Sequence, residues 1–255
     1  MQQKIIDTHF HIGYFPRKKR HGEEIYYYSP ARVMQYIHWA GIDEFIFSST
    51  NVCWGCSASA MHSEALELKR LAGSKAHALF WLSLDYYKND QDLSHIPDFY
   101  EGIKLHGGES SWIQHPDILR KILSSAVDRN WVVQIHTGKD RENSCSAYYP
   151  YCLEFPSVHF DLAHGWPLVE ALSVLKNSEN IWIDLSFVEN DTAEQLTAAY
   201  PDKVMFGSDF PAPLRFYDVS GTMYLKEYIA RLGKLGGAKL LEKNARDFLA
   251  LRRKK

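Results

Sequence analysis

Along this chain, short apolar runs rich in β-branched residues alternate with stretches whose apolar positions recur every three to four residues, the pattern of strands alternating with amphipathic helices. The runs predict strands near 4–9, 44–49, 77–84, 102–106, 131–136, 158–163, 180–185 and 203–207. The clearest helical stripe, over 117–129, joins Ile118, Leu119, Ile122, Leu123, Ala126 and Val127, with Asp117 near its start and Arg129 near its end, as the helix dipole favours. Further helices are predicted near 30–40, 58–72, 167–177, 192–200 and 221–235, with one more inside 89–101. Eight strands spaced by helices in 255 residues fit a single α/β domain, a (β/α)8 TIM barrel over residues 1–255, because that fold takes roughly 250 residues. Gly13 and Pro16 open a loop after the first strand; Gly107-Gly108, Thr137-Gly138 and Gly165 do so after the fourth, fifth and sixth.

Composition narrows the function classes. Hydrophobic residues make up 45% and charged residues 24%, enough apolar side chains for a full core and too many for a disordered chain. The net charge of -2 gives no general attraction for nucleic acid, so a small-molecule substrate is expected. The opening residues lack the apolar stretch of a signal peptide or a membrane span, which points to a cytoplasmic protein without membrane contact. Homo-oligomerisation is left open. Cys53 and Cys56 form a Cys-x-x-Cys pair, but Cys145 and Cys152, seven apart, do not supply the second close pair of a structural zinc site; all four are read as reduced cysteines in loops.

The chemistry lies at strand ends. In Ile5-Ile6-Asp7-Thr8-His9-Phe10-His11, two histidines two positions apart project from one face of an extended strand, so both can reach one metal ion. The fifth strand ends on His136, the sixth on His164 and the eighth on Asp209. In a closed parallel barrel these ends share one rim, where three imidazoles and a carboxylate can surround a single divalent cation. Each histidine alone would more often be a polar residue at a strand end; the joint pattern points to a metal site.

These segments resemble the amidohydrolase superfamily, in its compact amidohydrolase-related (amidohydrolase 2) branch. Asp7-Thr8-His9-Phe10-His11 is similar to its first-strand motif, Gly102-Ile103-Lys104-Leu105-His106 to its fourth, Leu162-Ala163-His164-Gly165 to its sixth and Phe206-Gly207-Ser208-Asp209-Phe210-Pro211 to its eighth. Asn244-Ala245-Arg246 with Phe248 and Leu249 is similar to its closing helix. The resemblance implies a metal-dependent hydrolase acting on a small-molecule amide, lactone or similar ester-like bond. It implies that His9, His11, His136 and Asp209 bind one divalent ion, with zinc the first expectation and manganese or iron accepted by the same donors. Asp209 would move the proton of an ion-activated water, and His164 would polarise the substrate carbonyl or, in two-metal relatives, ligate a second ion. Lys104 matches the lysine that is carbamylated and bridges the ions in some two-metal members; a buried, ion-paired lysine is the expectation here.

Substrate contacts are expected from His106 and Trp112 near the fourth strand, and from Arg141 and Arg215 in the loops after the fifth and eighth, where a cation suits a substrate carboxylate. The first loop adds Tyr14, Arg17, His21 and Tyr26-Tyr27-Tyr28. Decarboxylases and hydratases of the same branch remain an alternative. So does a TatD-type phosphoesterase or nuclease, although such enzymes carry a glutamate where this chain reads Lys104-Leu105-His106, and Glu109 lies too far into the loop.

Overall fold

The seam that makes this sheet a barrel joins residues about 200 positions apart. In the computed structural model, which describes residues 3–19, 22–89, 93–106, 112–217 and 219–250, Thr8 N donates to Phe206 O at 2.9 Å, Asp209 N to His9 O at 2.7 Å and His11 N to Phe210 O at 2.8 Å. The strands are β1 (Ile6–Lys19), β2 (Gly22–Tyr28), β3 (Glu44–Ser49), β4 (Ala76–Leu82), β5 (Tyr100–Leu105), β6 (Val132–His136), β7 (Phe160–Ala163), β8 (Ile181–Asp184) and β9 (Val204–Met205). Their order is β2-β1-β3-β4-β5-β6-β7-β8-β9; β2 pairs antiparallel with the far half of β1, and the remaining pairs are parallel. The seam and the Phe10–Phe210 bridge return the last strand to the first, closing eight parallel strands. His21, Gly107, Gly108 and Glu109 lie outside the described residues.

Strand alternation sorts the side chains into two sets. Phe45, Phe47, Ala78, Phe80, Ile103, Leu105, Val133, Ile135, Phe160, Leu162, Ile181 and Ile183 belong to the large core under the helices. Ile6, Ile46, Leu79, Val132, Trp182 and Met205 form a second apolar cluster inside the barrel with Ala245 and Phe248 of the closing helix. Continuing inward along each strand gives a buried polar layer of Lys104, Gln134, Asp161 and Asp184, and then the rim. β1 breaks the alternation: Ile6 is inside, but Phe10 and Ile12 are in the outer core. The register against β3 shifts between Asp7 and Phe10, and this irregularity turns His9 and His11 inward.

The helices are α1 (Pro30–Ala40), α2 (Ala58–Ala72), α3 (Leu84–Asn89), α4 (Pro116–Asp128), α5 (Cys145–Glu154), α6 (Leu168–Lys176), α7 (Asn190–Ala199), α8 (Gly221–Ala238) and α9 (Asn244–Ala250). α1 and α2 coincide with the stripes read from sequence, and both start on a serine that caps a backbone N–H. Three expectations are corrected. The loop after the first strand is a β-hairpin, because β1 continues to Lys19 and pairs with a β-prone Ile25–Tyr28 run in which side chains alternate. The helix expected in 89–101 lies at 84–89 instead, followed by a single 3-10 turn at 93–95. α5 was not predicted: Tyr, Ser and Cys are weak helix formers and Pro150 sits inside it, yet burial of Cys145, Tyr148 and Cys152 holds the helix. No helix among the described residues is long and apolar enough to cross a membrane.

At the opposite end from the site, His77 on β4 stands between carboxylates of the neighbouring strands. Its Nδ1 lies 2.8 Å from Glu101 Oε2 and its Nε2 3.7 Å from Glu44 Oε2; Lys69 Nζ meets Glu101 at 2.7 Å and Arg246 Nη2 meets Glu44 at 2.8 Å. Burial disfavours the imidazolium, but the two carboxylates outweigh it and raise the His77 pKa. A raised histidine pKa stabilises the fold fully below the unfolded value of about 6.5 and loses that contribution as pH rises through the folded value. The melting-temperature gap between the protein and His77→Gln is therefore expected to be widest near about pH 6 and to narrow toward about pH 9. An unchanging gap in thermal denaturation across that range would show that His77 carries no proton-linked stability.

Candidate metal centre

His9 and His11 are each anchored through Nδ1. His9 Nδ1 lies 3.0 Å from Asp184 Oδ2 and 3.0 Å from Ser186 Oγ; His11 Nδ1 lies 3.0 Å from Ser48 Oγ. With the ring proton of His9 on the carboxylate and that of His11 on the hydroxyl, both Nε2 atoms keep a lone pair turned into the barrel mouth. Asp209 arrives there from across the seam. Its backbone adopts φ +51°, a conformation uncommon for a residue with a side chain, and its Oδ1 sits 2.9 Å from His11 Nε2 and 3.4 Å from His9 Nε2. These three donor atoms lie within 4.8 Å of one another. Two imidazoles and a carboxylate converging this closely are a set that a divalent cation takes.

His136 and His164 form a second pair beside this trio. His164 Nε2 is 3.0 Å from His136 Nδ1, and His164 Nδ1 is held 2.9 Å from the Ser186 carbonyl oxygen, with φ +71° at His164. His136 therefore lines the same cavity but faces His164 and not the His9–His11–Asp209 cluster. His9, His164 and Asp184 also lie close enough to hold an ion. Their facing atoms are already joined through Ser186, which donates N–H and O–H to Asp184 Oδ1, and Asp184 does not line the cavity; we read this cluster as the support of the first. Lys104 is buried beneath, its Nζ 3.1 Å from His9 Nε2.

Electrostatics follow from burial and these neighbours. Burial opposes a charge on Asp209, but His9 and His11 outweigh it and hold the carboxyl below the usual carboxylate range. Asp184 is likewise held down by His9 against its own burial. Burial, then the Lys104 ammonium, lowers His9 to about 4, and the same two causes lower His106 to about 3. His136 is lowered by burial and by His164. Burial also lowers the Lys104 pKa, against the pull of Asp184 and Asp209. The imidazoles of His9, His106 and His136 are thus neutral near pH 7, the state in which histidine ligates metal.

The cavity over these groups has a volume of about 250 Å3 and is walled by Phe15, Trp81, Trp166, Phe187 and Phe216, with Arg215 at its edge. His106 lines it, stacked between Trp81 and His136 at ring-centroid distances of 5.4 and 4.1 Å. Two expected contacts are corrected. Trp112, the first residue of a 3-10 helix, is 1% exposed in the helix-side core and donates Nε1–H to His106 O at 3.2 Å; it packs and does not line the cavity. Arg141 is exposed beyond β6 and does not line the cavity either. Asp184, Ser186 and Ser48 went unnamed in the sequence reading. Asp184 ends β8 as His136 ends β6, so the same strand-end rule would have found it; Ser48 and Ser186 carry no such signal.

Residues 98–251, more than half of the chain, match the family model described as Amidohydrolase. The chain belongs to the amidohydrolase family. The matched segment contains Lys104, His106, His136, His164 and Asp209; His9 and His11 precede it. Comparison with curated proteins gives no match. Among solved structures, an amidohydrolase from Burkholderia multivorans with bound zinc is similar at 14% identity and a TM-score of 0.70, over 97% of this chain and 99% of that one. A probable 2-pyrone-4,6-dicarboxylic acid hydrolase from Acinetobacter baumannii, with citric acid bound, gives the same identity, score and coverage. A 5-carboxyvanillate decarboxylase from Novosphingobium aromaticivorans, complexed with manganese, is similar at 12% identity and a TM-score of 0.55, over 86% of this chain and 79% of that one. At these identities the likeness is one of fold, and the amidohydrolase barrel is the fold shared.

The Asp184–His9 contact sets a testable expectation. Asp184→Asn keeps the shape but removes the charge that holds the His9 proton on Nδ1, so zinc affinity should fall about 10- to 100-fold in competition with a chromophoric chelator. Unchanged affinity in a folded Asp184→Asn protein would show that this carboxylate does not orient His9.

Proposed function

We propose that this amidohydrolase-family enzyme hydrolyses a small-molecule amide, lactone or similar ester-like bond with one divalent ion. Its holders are His9, His11 and Asp209; His136, the fourth donor that the resemblance implies, would have to turn from His164 to join them. Zinc is the first choice, and manganese suits the same donors. The single observation supporting this most is the convergence of His9 Nε2 and His11 Nε2 on Asp209 Oδ1, at 3.4 and 2.9 Å, at the floor of a cavity. When bound, such an ion polarises a carbonyl and lowers the pKa of a water from 15.7 to about 7.

The side chains divide the remaining work. Asp209 stays ionised across the neutral range and lines the cavity, so it can take the proton of the attacking water and deliver it to the leaving group. His164 lines the cavity with Nδ1 held by the Ser186 carbonyl, and it would stabilise the developing oxyanion through Nε2 once substrate displaces the His136 contact that Nε2 makes here. Lys104 touches the lone pair of His9 that ligation would use, so the lysine must give way when that atom ligates; burial, which favours its neutral form, makes this easier. Arg215 and His106 supply contacts to the substrate from the cavity wall.

Elemental analysis should find about one divalent ion per chain, and His9→Ala should lose most of it. A panel of lactones, amides, phosphodiesters and aromatic carboxylates then tests the reaction. Turnover confined to phosphodiesters, or release of carbon dioxide without hydrolysis, would replace the hydrolase reading by the corresponding alternative. On the substrate so found, metal-replete Asp209→Asn should lose about 10²- to 10⁴-fold in kcat. Near-normal turnover would remove Asp209 from proton transfer. Lys104→Met should keep the metal and much of the activity. Loss of metal in that variant, together with activation of the native protein by bicarbonate, would make Lys104 a carbamylated bridge.

A further inference from the structure

A second cavity, of about 400 Å3, opens beneath the β1–β2 hairpin and shares Phe15, Trp81, His106 and Arg215 with the cavity over the metal centre. The inner chamber, at about 250 Å3, falls short of the roughly 300–1,000 Å3 usual for small-molecule sites; with the outer chamber the space is within that range. The outer walls are unusual for a solvent-facing surface. Tyr14, Ile25 and Trp54 are 40%, 52% and 47% exposed and gather around this one cleft. The Trp54 indole is fixed there by donating Nε1–H to Tyr14 O at 2.9 Å. Large apolar side chains left facing water in a cluster mark a binding surface more often than a packing remnant.

Charge at the junction narrows the ligand. Among the described residues, Arg215 is the arginine or lysine that borders both chambers, and Lys104 lines the inner one alone. Its Nε lies 3.3 Å from Glu23 Oε1, and both side chains are about half exposed. A lone ion pair so open to water is weak, so an incoming carboxylate can take the guanidinium from Glu23 at small cost and gain a two-pronged contact.

We propose that the active site has two chambers and that the outer one binds the non-reacting half of the substrate, a flat aromatic group whose single carboxylate pairs with Arg215 at the junction. This rests on the hydrolase reading only for which half of the substrate reacts. Occupancy of the outer chamber is a matter of binding, and it is tested without turnover. Cys53 lines the outer chamber, whereas Cys56, three residues on, does not, and Cys145 and Cys152 are buried.

The probe is 2-naphthoate, with neutral 2-naphthalenemethanol as its partner, added to the metal-loaded protein. Saturating 2-naphthoate should slow N-ethylmaleimide alkylation of Cys53 by about fivefold or more while leaving Cys56 unchanged, followed by peptide mass spectrometry. Arg215→Gln should weaken 2-naphthoate about tenfold and the alcohol less than about twofold, as expected for loss of a charge-assisted contact. Trp54→Ala should weaken both ligands about fivefold through lost ring contact. Cys53 alkylation that is indifferent to 2-naphthoate would overturn the outer chamber as a binding site. Equal weakening of acid and alcohol in Arg215→Gln would overturn the carboxylate. Failure of the substrate panel leaves these binding readouts intact, so the two ideas fail separately.

Discussion

Closure of the sheet between its first and last strands is the constraint on which the rest of this site depends. His9 and His11 sit near the start of the chain and Asp209 lies 198 positions beyond His11, yet the seam bonds Asp209 N to His9 O and His11 N to Phe210 O, at 2.7 and 2.8 Å. Asp7 reinforces it from below: its Oδ1 accepts N–H bonds from His9 at 3.1 Å and Ser208 at 2.9 Å. Burial pushes the Asp7 carboxyl up to about 7, while those two N–H bonds pull the other way. The same backbone contacts that complete the barrel thus set the separation of the imidazole and carboxylate donors. Geometry this exacting comes from strands in register and could not be held by loops alone.

Under the rim, the barrel interior changes from apolar to ionisable within one layer. Ile6, Ile46, Leu79, Val132, Trp182 and Met205 plug the lower end, and directly above them Lys104, Asp161 and Asp184 are buried together. Such a group is tolerable only when its charges are paired or suppressed. Both devices operate here. Burial and the nearby Asp184 raise the Asp161 pKa well above the usual carboxylate range, and Asp161 accepts bonds from Gln134 Nε2 at 2.8 Å and Asp184 N at 3.0 Å. Asp184 stays ionised because His9 and the Ser186 donors face it. The polar layer is therefore a scaffold that aims His9, and its desolvation cost is borne by the larger helix-side core.

The hairpin is a third level of organisation. At Gly13, where β1 leaves the barrel, φ is +104° and an added Cβ would collide with the Asn51 side chain, so only glycine lets the strand turn away there. Beyond it, Arg17 Nη2 reaches Val219 O at 3.2 Å and Lys18 Nζ reaches Phe216 O at 3.4 Å, tying the hairpin to the segment after β9. One short residue thus converts the end of a barrel strand into a wall of the substrate space.

Periodicity, composition and strand ends were enough to read the barrel from the sequence, because parallel strands buried on both faces leave continuous apolar runs and the rim positions His136, His164 and Asp209 lie at or within four residues past the end of such a run. The same rule picked out His136, His164 and Asp209 as candidates, and the His-x-His spacing picked out His9 and His11. What the sequence could not carry was any relation set by contacts across the barrel. Strict alternation from Ile6 would have turned His9 outward, and only the register shift against β3 reverses it. Asp184 and Ser186 lie some 175 positions from the ring they orient, His136 meets His164 and not the trio, and Trp112 is buried in the core and does not line the cavity. Local pattern determines which side chains arrive at a rim; which atoms then face one another is decided by register, bulge and closure, and these depend on the energy of the whole sheet.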